Sequence, residues 1–287
     1  MIHTPPRVTS MPRAQLIQLA DYSSIAFAQV GSGEPIVLVH GALCDYRYWE
    51  PQFIPLASKN CVLSLSLSHY FPTRDLNHSF TFNWNTHVQQ IVQFIDIVAR
   101  EPVHIVAHSR GAYLAFHLAH RFPGRLRSMT LIDPIGFTKN GEILDCYASL
   151  CQMNTLHTRA AGLINKGEVD AGLALFVDSV SCQGTWAQSP DKFKTIVRDN
   201  AHTLWLQIID QIPDFSAHEA SEITLPIMLV VGEKSPSIFH QNIECLRKHV
   251  KGASQITMAG VSHGMNLADP HTFNRLVLNF IRENSQT

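Results

Sequence analysis

Short apolar runs alternate with a three-to-four-residue apolar stripe along this chain. Ile36 to Val39 is an apolar run closed by His40-Gly41, Val62 to Leu67 alternates with serines, and Val103 to Ala107 is rich in β-branched residues. Each has the length and make-up of a strand. Between the last two, Val88, Ile91, Val92, Ile95 and Val98 recur at three- and four-residue steps and put one apolar face on a helix. Ser128 to Ile132, Ile227 to Val231 and Gln255 to Met258 read as further strands. The chain closes with a helix that has Asp269 as N-cap, Pro270 in the first turn, and Phe273, Leu276, Val277 and Phe280 inward. Strands separated by helices on this scale predict an α/β fold, with a mostly parallel, doubly wound sheet covered on both faces.

From 137 to 222 the rhythm breaks. Helical patterns such as Ile143 to Cys151 and Phe193 to Ile209 occur there without a convincing strand, between turn signals at Asn140-Gly141 and at Pro213 to Ser216. The expected organisation is a loose N-terminal tail (1–13), an α/β core made of 14–136 and 223–287, and a helical cap inserted at 137–222.

Composition narrows the class of partner. Charged residues are only 16% of 287, and 22 Lys plus Arg stand against 23 Asp plus Glu, so the chain has no electrostatic footprint for nucleic acid or an anionic membrane. A small-molecule substrate is expected instead. The six cysteines (44, 61, 146, 151, 182 and 245) form no CxxC pair and read as reduced thiols. The first 13 residues lack the apolar segment of a secretory signal, and no run of 18 apolar residues occurs, so a cytoplasmic location is expected.

Chemistry concentrates at Val103-His104-Ile105-Val106-Ala107-His108-Ser109-Arg110-Gly111-Ala112, an apolar strand that runs through A-H-S-R-G into a helix. A nucleophilic serine on a sharp strand-to-helix turn needs small residues two before and two after it, here Ala107 and Gly111. Upstream, His40-Gly41-Ala42 follows a strand, where backbone N–H groups can face a developing oxyanion. Downstream, Gly260-Val261-Ser262-His263-Gly264 holds a histidine in a Gly-flanked loop before the last helix, and a strand ends in Asp133 between the two. Ser, Asp, His in that chain order is the order of one hydrolase architecture and of neither chymotrypsin nor subtilisin.

On these motifs, together with L-P-I-M-L-V-V-G-E-K and the final D-P-H-T-F, the chain resembles the α/β-hydrolase superfamily over nearly all of residues 14 to 283. The resemblance implies an eight-stranded sheet and a helical cap after the sixth strand. Many relatives carry their acid in a G-x-x-D pattern after the seventh strand, whereas this chain has Gly232-Glu233-Lys234-Ser235. Some carry it at the end of the sixth strand, where Asp133 lies. The expected catalytic set is therefore Ser109, His263 and Asp133, with Glu233 as the alternative acid, and a Ser-His dyad or a dead site left open. The N–H groups of Ala42 and Arg110 are the expected oxyanion hole.

Other residues read more plainly. Histidines are numerous, but no H-E-x-x-H or Cys/His spacing occurs, so no metal is expected, and the absence of G-x-G-x-x-G and Walker patterns predicts no cofactor. His40 and His108 are expected to orient loops, and Cys44 to pack. Leu65 to Pro72 departs from the Asp-x-Arg-Gly-x-Gly turn of relatives and reads as loop divergence. Phe176, Trp186, Asn200 and Trp205 are expected to hold the cap down, facing the substrate being the alternative. The resulting expectation is a cofactor-free serine hydrolase acting on a small ester, thioester or lactone through an acyl-enzyme. Its rivals are carbon-carbon bond hydrolysis, lyase or perhydrolase chemistry at the same residues, and a non-catalytic ligand-binding protein.

Overall fold

The computed structural model describes residues 11–21, 23–76, 80–136, 144–210 and 212–285, with 144–149 described as backbone only. Its strands are β1 (Gln15–Gln18), β2 (Ser24–Val30), β3 (Pro35–Val39), β4 (Cys61–Ser66), β5 (Val103–His108), β6 (Leu126–Ile132), β7 (Ile227–Gly232) and β8 (Ser254–Met258). They form one eight-stranded sheet in the order β1-β2-β4-β3-β5-β6-β7-β8. β3 to β8 pair in parallel, while β2 is antiparallel to both β1 and β4.

The helices of the sheet layers are α1 (Glu50–Leu56), α2 (Trp84–Phe94) and α3 (Arg110–Arg121). Six more lie between β6 and β7: α4 (Leu144–Asn165), α5 (Val169–Val180), α6 (Thr185–Gln188), α7 (Asp191–Asp199), α8 (Thr203–Ile209) and α9 (Ala217–Glu222). The chain ends with α10 (Ser237–His249), α11 (Met265–Ala268) and α12 (Pro270–Glu283). No helix among the described residues is long and apolar enough to cross a membrane.

The central strands are mainly apolar because both faces are covered. In β3 and β5, Val37, Val39, Ile105 and Ala107 face the cluster that holds α2, α3 and α10, whereas Ile36, Leu38 and Val106 face the one that holds α1 and α12. A one-residue slip in register would exchange these sets. Asp269 caps α12 as its sequence predicts, accepting from the Thr272 N–H.

Three elements differ from the sequence pattern. The hairpin β1–β2 has no counterpart in the apolar pattern, because β1 is a largely exposed Q-L-I-Q segment without alternation. The stripe from Val88 to Val98 is α2 followed by a widened π-type turn, Ile95–Ala99, closed by the Arg100 N–H on the Ile95 carbonyl at 2.7 Å. The single helical pattern at Phe193 to Ile209 is two helices, α7 and α8. Between them the fully buried Asn200 spends its amide elsewhere, donating to Asp45 Oδ2 (2.7 Å) and accepting from the Phe71 N–H (2.8 Å). The tail up to residue 10, the Asn140-Gly141 turn and Ile143 lie outside the described residues.

Candidate active site

Ser109 occupies the turn between β5 and α3 with φ 53° and ψ −117°, a backbone conformation that a residue with a side chain seldom holds. Its surroundings impose it. The Ser109 N–H extends the sheet by donating to the Ile132 carbonyl (2.9 Å), and the Ser109 carbonyl accepts from the Tyr113 N–H (3.1 Å). α3 then passes so close to β3 that a Cβ on Gly111 would lie 2.5 Å from the His40 carbonyl oxygen and 2.7 Å from that of Val39. Only glycine fits there, which is the physical reason for the small residue two places after the serine.

Asp133 follows the last residue of β6, itself at φ 42°, and its carboxylate is fully buried. Its Oδ2 accepts two hydrogen bonds, from His263 Nδ1 at 2.9 Å and from Ser235 Oγ at 2.7 Å. Ser235, which holds the position where many relatives carry their acid, is thus a donor to the Asp133 carboxylate at the end of the neighbouring strand. His263 lies in the loop between β8 and α11. Its carbonyl accepts from His108 Nε2 (2.9 Å), and its ring is stacked on Phe239, with centroids 4.6 Å apart. Burial lowers the His263 imidazole below its ordinary range and raises the Asp133 carboxyl, the latter opposed by the Ser235 hydroxyl. The imidazole is therefore neutral at neutral pH. With Nδ1 donating to Asp133, Nε2 is left as the basic atom.

Glu233 is not brought to this histidine. It is exposed, and its Oε2 accepts from the Gly260 N–H (2.6 Å), tying the turn after β7 to the loop that carries His263. His40 and His108 orient loops. His40 Nε2 accepts from the Leu67 N–H (3.2 Å), which leaves its Nδ1 to donate to the Gly41 carbonyl (2.8 Å). Burial lowers both rings, His40 to about 4 and His108 to about 3. Cys44 is buried, and burial pushes its thiol well above the ordinary range, the opposite of what a nucleophilic thiolate needs. Among the described residues, no three His, Cys, Asp or Glu side chains gather as metal ligands.

Ala42 and Arg110 both border Ser109, and neither backbone N–H is consumed by a turn or loop hydrogen bond among the described residues. Arg110 was expected only for its N–H. Its side chain is buried as well, paired through Nη2 with Asp210 Oδ2 at 2.6 Å and standing over the Phe82 ring. Asp210 caps the end of α8, so this ion pair ties the Ser109 turn to the insertion. A second tie lies on the other strand of the site: Asp45, three residues after Ala42, bonds Asn200, and Arg47 bridges Asp45 (2.6 Å) and Asp199 (2.8 Å). The Leu65 to Pro72 segment is used in the same way, since its Phe71 bonds Asn200 and lies under Arg47.

Two cavities meet at Ala42 and Ser109, with Phe176 and Val180 of α5 between them. The first, about 520 Å³, is bordered by His263, Leu267 and the apolar side chains Val177, Phe193, Ile196 and Val197. The second, about 640 Å³, is bordered by Arg110, Tyr113, Met153, His157, Asp210 and Phe239. Of the aromatic residues weighed in the insertion, Phe176 lines both cavities, Trp186 is buried outside them, and Trp205 is 42% exposed and does neither job. The Ser109 hydroxyl opens on both cavities and forms no hydrogen bond to His263 in this structure. Such a link commonly tightens only when substrate is present. Tyr113 and His157 had no signal in the sequence beyond Tyr113 lying one turn after Arg110 on α3.

A strained serine turn at the end of a parallel strand, beside a buried His–Asp pair and under a helical insertion, defines a class of protein. The alpha/beta hydrolase family model matches residues 36–276, and this chain belongs to that family. An esterase from Exiguobacterium antarcticum is similar in structure with a TM-score of 0.76 at 16% identity, over 94% of this chain and 100% of that one. Epoxide hydrolase CorEH gives 0.77 at 16% identity, over 94% and 99%. At these identities the likeness is one of fold. In sequence, the dihydrolipoyllysine-residue acetyltransferase component of the acetoin cleaving system of Cupriavidus necator is 30% identical over 127 residues, 43% of this chain. The match spans about a third of that relative's length.

Proposed function

We propose that this protein is a serine hydrolase that cleaves a small ester, thioester or lactone through an acyl-enzyme. The observation that carries the reading is the buried 2.9 Å bond between His263 Nδ1 and Asp133 Oδ2, beside a serine held in a strained turn. His263 Nε2 takes the Ser109 proton as Oγ forms a bond to the carbonyl carbon. The imidazolium that results is stabilised by the Asp133 carboxylate, whose Oδ2 the Ser235 hydroxyl also supports. The N–H groups of Ala42 and Arg110 receive the oxyanion. Collapse breaks the bond to the leaving oxygen or sulfur, which takes the proton from His263. Water then adds to the acyl-enzyme by the same route, with its proton passing to His263 and on to Ser109 as the acid is released. The chemistry needs nothing beyond the chain and water.

A fluorophosphonate probe tests this directly. Intact mass should show one adduct, located on Ser109 and absent from Ser109→Ala. A protein that stays unlabelled, or is labelled equally in the variant, overturns the reading.

A further inference from the structure

The two cavities at Ser109 differ in chemistry, and the reaction geometry says which part of a substrate belongs in each. His263 must hand a proton to the leaving group, so that group lies on the side of the serine where His263 forms the wall. That is the 520 Å³ cavity, apolar inside, with Arg47 and the Lys192–Glu50 pair at its border. The acyl part then extends past Phe176 and Val180 into the 640 Å³ cavity.

This second cavity has a polar demand that the protein does not meet. Tyr113 Oη and His157 Nε2 are both buried, and neither has a hydrogen-bond partner among the described residues. Leaving such groups unpaired is costly, and two on one cavity wall ask for a ligand atom. The charge there is closed. Arg110 is paired with Asp210, and a second carboxylate, Asp214, borders the space, so among the described lining residues an anionic ligand would meet carboxylates and no cation that is not already paired. Burial also keeps His157 uncharged, at about 4, and raises Tyr113 above its ordinary range. Both are neutral hydrogen-bonding groups at physiological pH, suited to a neutral oxygen and not to a carboxylate or phosphate.

We infer that the substrate's acyl group carries a neutral oxygen function, an oxo, hydroxy or ether group along its chain, that Tyr113 and His157 recognise, while the leaving alcohol or thiol is apolar. This rests on the serine-hydrolase reading above and narrows its substrate class. Met153, Leu150 and Phe239 supply the apolar remainder of the acyl cavity, so the oxygen sits within a mainly hydrocarbon chain.

The experiment compares 4-nitrophenyl pentanoate with 4-nitrophenyl 4-oxopentanoate and 4-nitrophenyl 4-methoxybutanoate, on wild type, Tyr113→Phe and His157→Phe, after fluorophosphonate titration of active Ser109 in each. One recovered neutral hydrogen bond is worth on the order of tenfold in kcat/KM at its upper end. Wild type should favour at least one oxygenated ester by about that factor. Tyr113→Phe or His157→Phe should bring the ratio of oxygenated to plain ester near unity, and because the ratio is taken within each variant, a general loss of activity cancels from it. A matched pair differing only in the polarity of an alcohol of similar leaving ability, butyl against 2-methoxyethyl pentanoate, should favour the butyl ester. If Ser109 labels but wild type does not prefer either oxygenated acyl group, turns over none of the esters, or keeps its preference in both variants, the inference fails and the serine-hydrolase reading stands. If Ser109 does not label, both fail.

Discussion

Replacing Asp210 by leucine should be among the most damaging single changes outside the catalytic set. The side chains of Arg110 and Asp210 are 8% and 1% exposed and meet at 2.6 Å. Asp210 Oδ1 also accepts from the Trp84 N–H at 3.1 Å. With the carboxylate gone, Arg110 keeps the Phe82 ring, the neighbouring Tyr70 hydroxyl and a 3.4 Å approach to His87 Nδ1, none of which balances a full charge. An uncompensated buried charge of this kind costs about 3–5 kcal/mol. At roughly 2–3 °C per kcal/mol for a chain of this size, Tm should fall by roughly 6–15 °C. Arg110→Met should do comparable harm by stranding Asp210. The double variant, with both charges removed, should lose much less than the sum, because replacing a buried pair by apolar residues is often close to neutral. Urea unfolding of the four proteins closes the cycle. A loss below about 1 kcal/mol for Asp210→Leu, or additive losses in the double variant, would mean that the pair does not anchor the insertion to the nucleophile turn.

Asp133→Asn should lower kcat by about 10⁴ with little change in fold, as expected when the acid of a triad is amidated, and Glu233→Gln should have a small effect; the reverse order of damage would remove Asp133 from the site. Ser109→Ala should cost on the order of 10⁶ in kcat, and Ser109→Gly should unfold at higher temperature than Ser109→Ala, since glycine relieves the positive φ; equal melting temperatures would argue against strain at this turn. Stability should fall steeply as pH drops from about 6.5 to 4. Burial lowers His40, His87, His108, His117, His157 and His263, so the unfolded chain takes up protons that the folded chain refuses, at about 1.4 kcal/mol per pH unit for each proton. Asp133, raised by burial, acts in the opposite direction over the same window but contributes a single proton. A flat urea midpoint between pH 6.5 and 4.5 would show that these rings are not held neutral.

What could be read from the sequence was what local sterics and two-sided burial write into it. β3 and β7, and the apolar stretches of β5 and β6, were legible because both faces of these strands are covered, whereas β1 at an exposed edge leaves no such mark. Ser109 was legible because the turn demands small residues at fixed offsets. Asp133 could be placed at a strand end, but its contacts with His263, 130 residues away, and with Ser235, 102 residues away, depend on how the strands are laid side by side. The same holds for Arg110. Its position after the serine pointed to a backbone N–H, and nothing local showed that its side chain would reach across 100 residues to Asp210. Trp205 illustrates the converse, a large apolar residue whose type suggested a buried role and whose place on α8 leaves it largely in solvent.

The position of Asp133 also bears on how such a protein can be rebuilt. Only Pro134, Ile135 and Gly136 lie between it and residue 137, and the Gly136 carbonyl already accepts from Phe215 at the far end of the insertion (2.9 Å). On the proposed assignment, the acid and the seam of the insertion share one short hinge. An exchange of insertions between relatives therefore has to be cut on the far side of Asp133 and keep the Gly136–Phe215 closure, or it will disturb the proton relay along with the substrate cover. The turn after β7 keeps a supporting part in return. Glu233 to Pro236 supplies one hydroxyl to Asp133 and a staple to the histidine loop, so sequence diversity introduced there has to keep Ser235 and Glu233 and falls on the exposed Lys234.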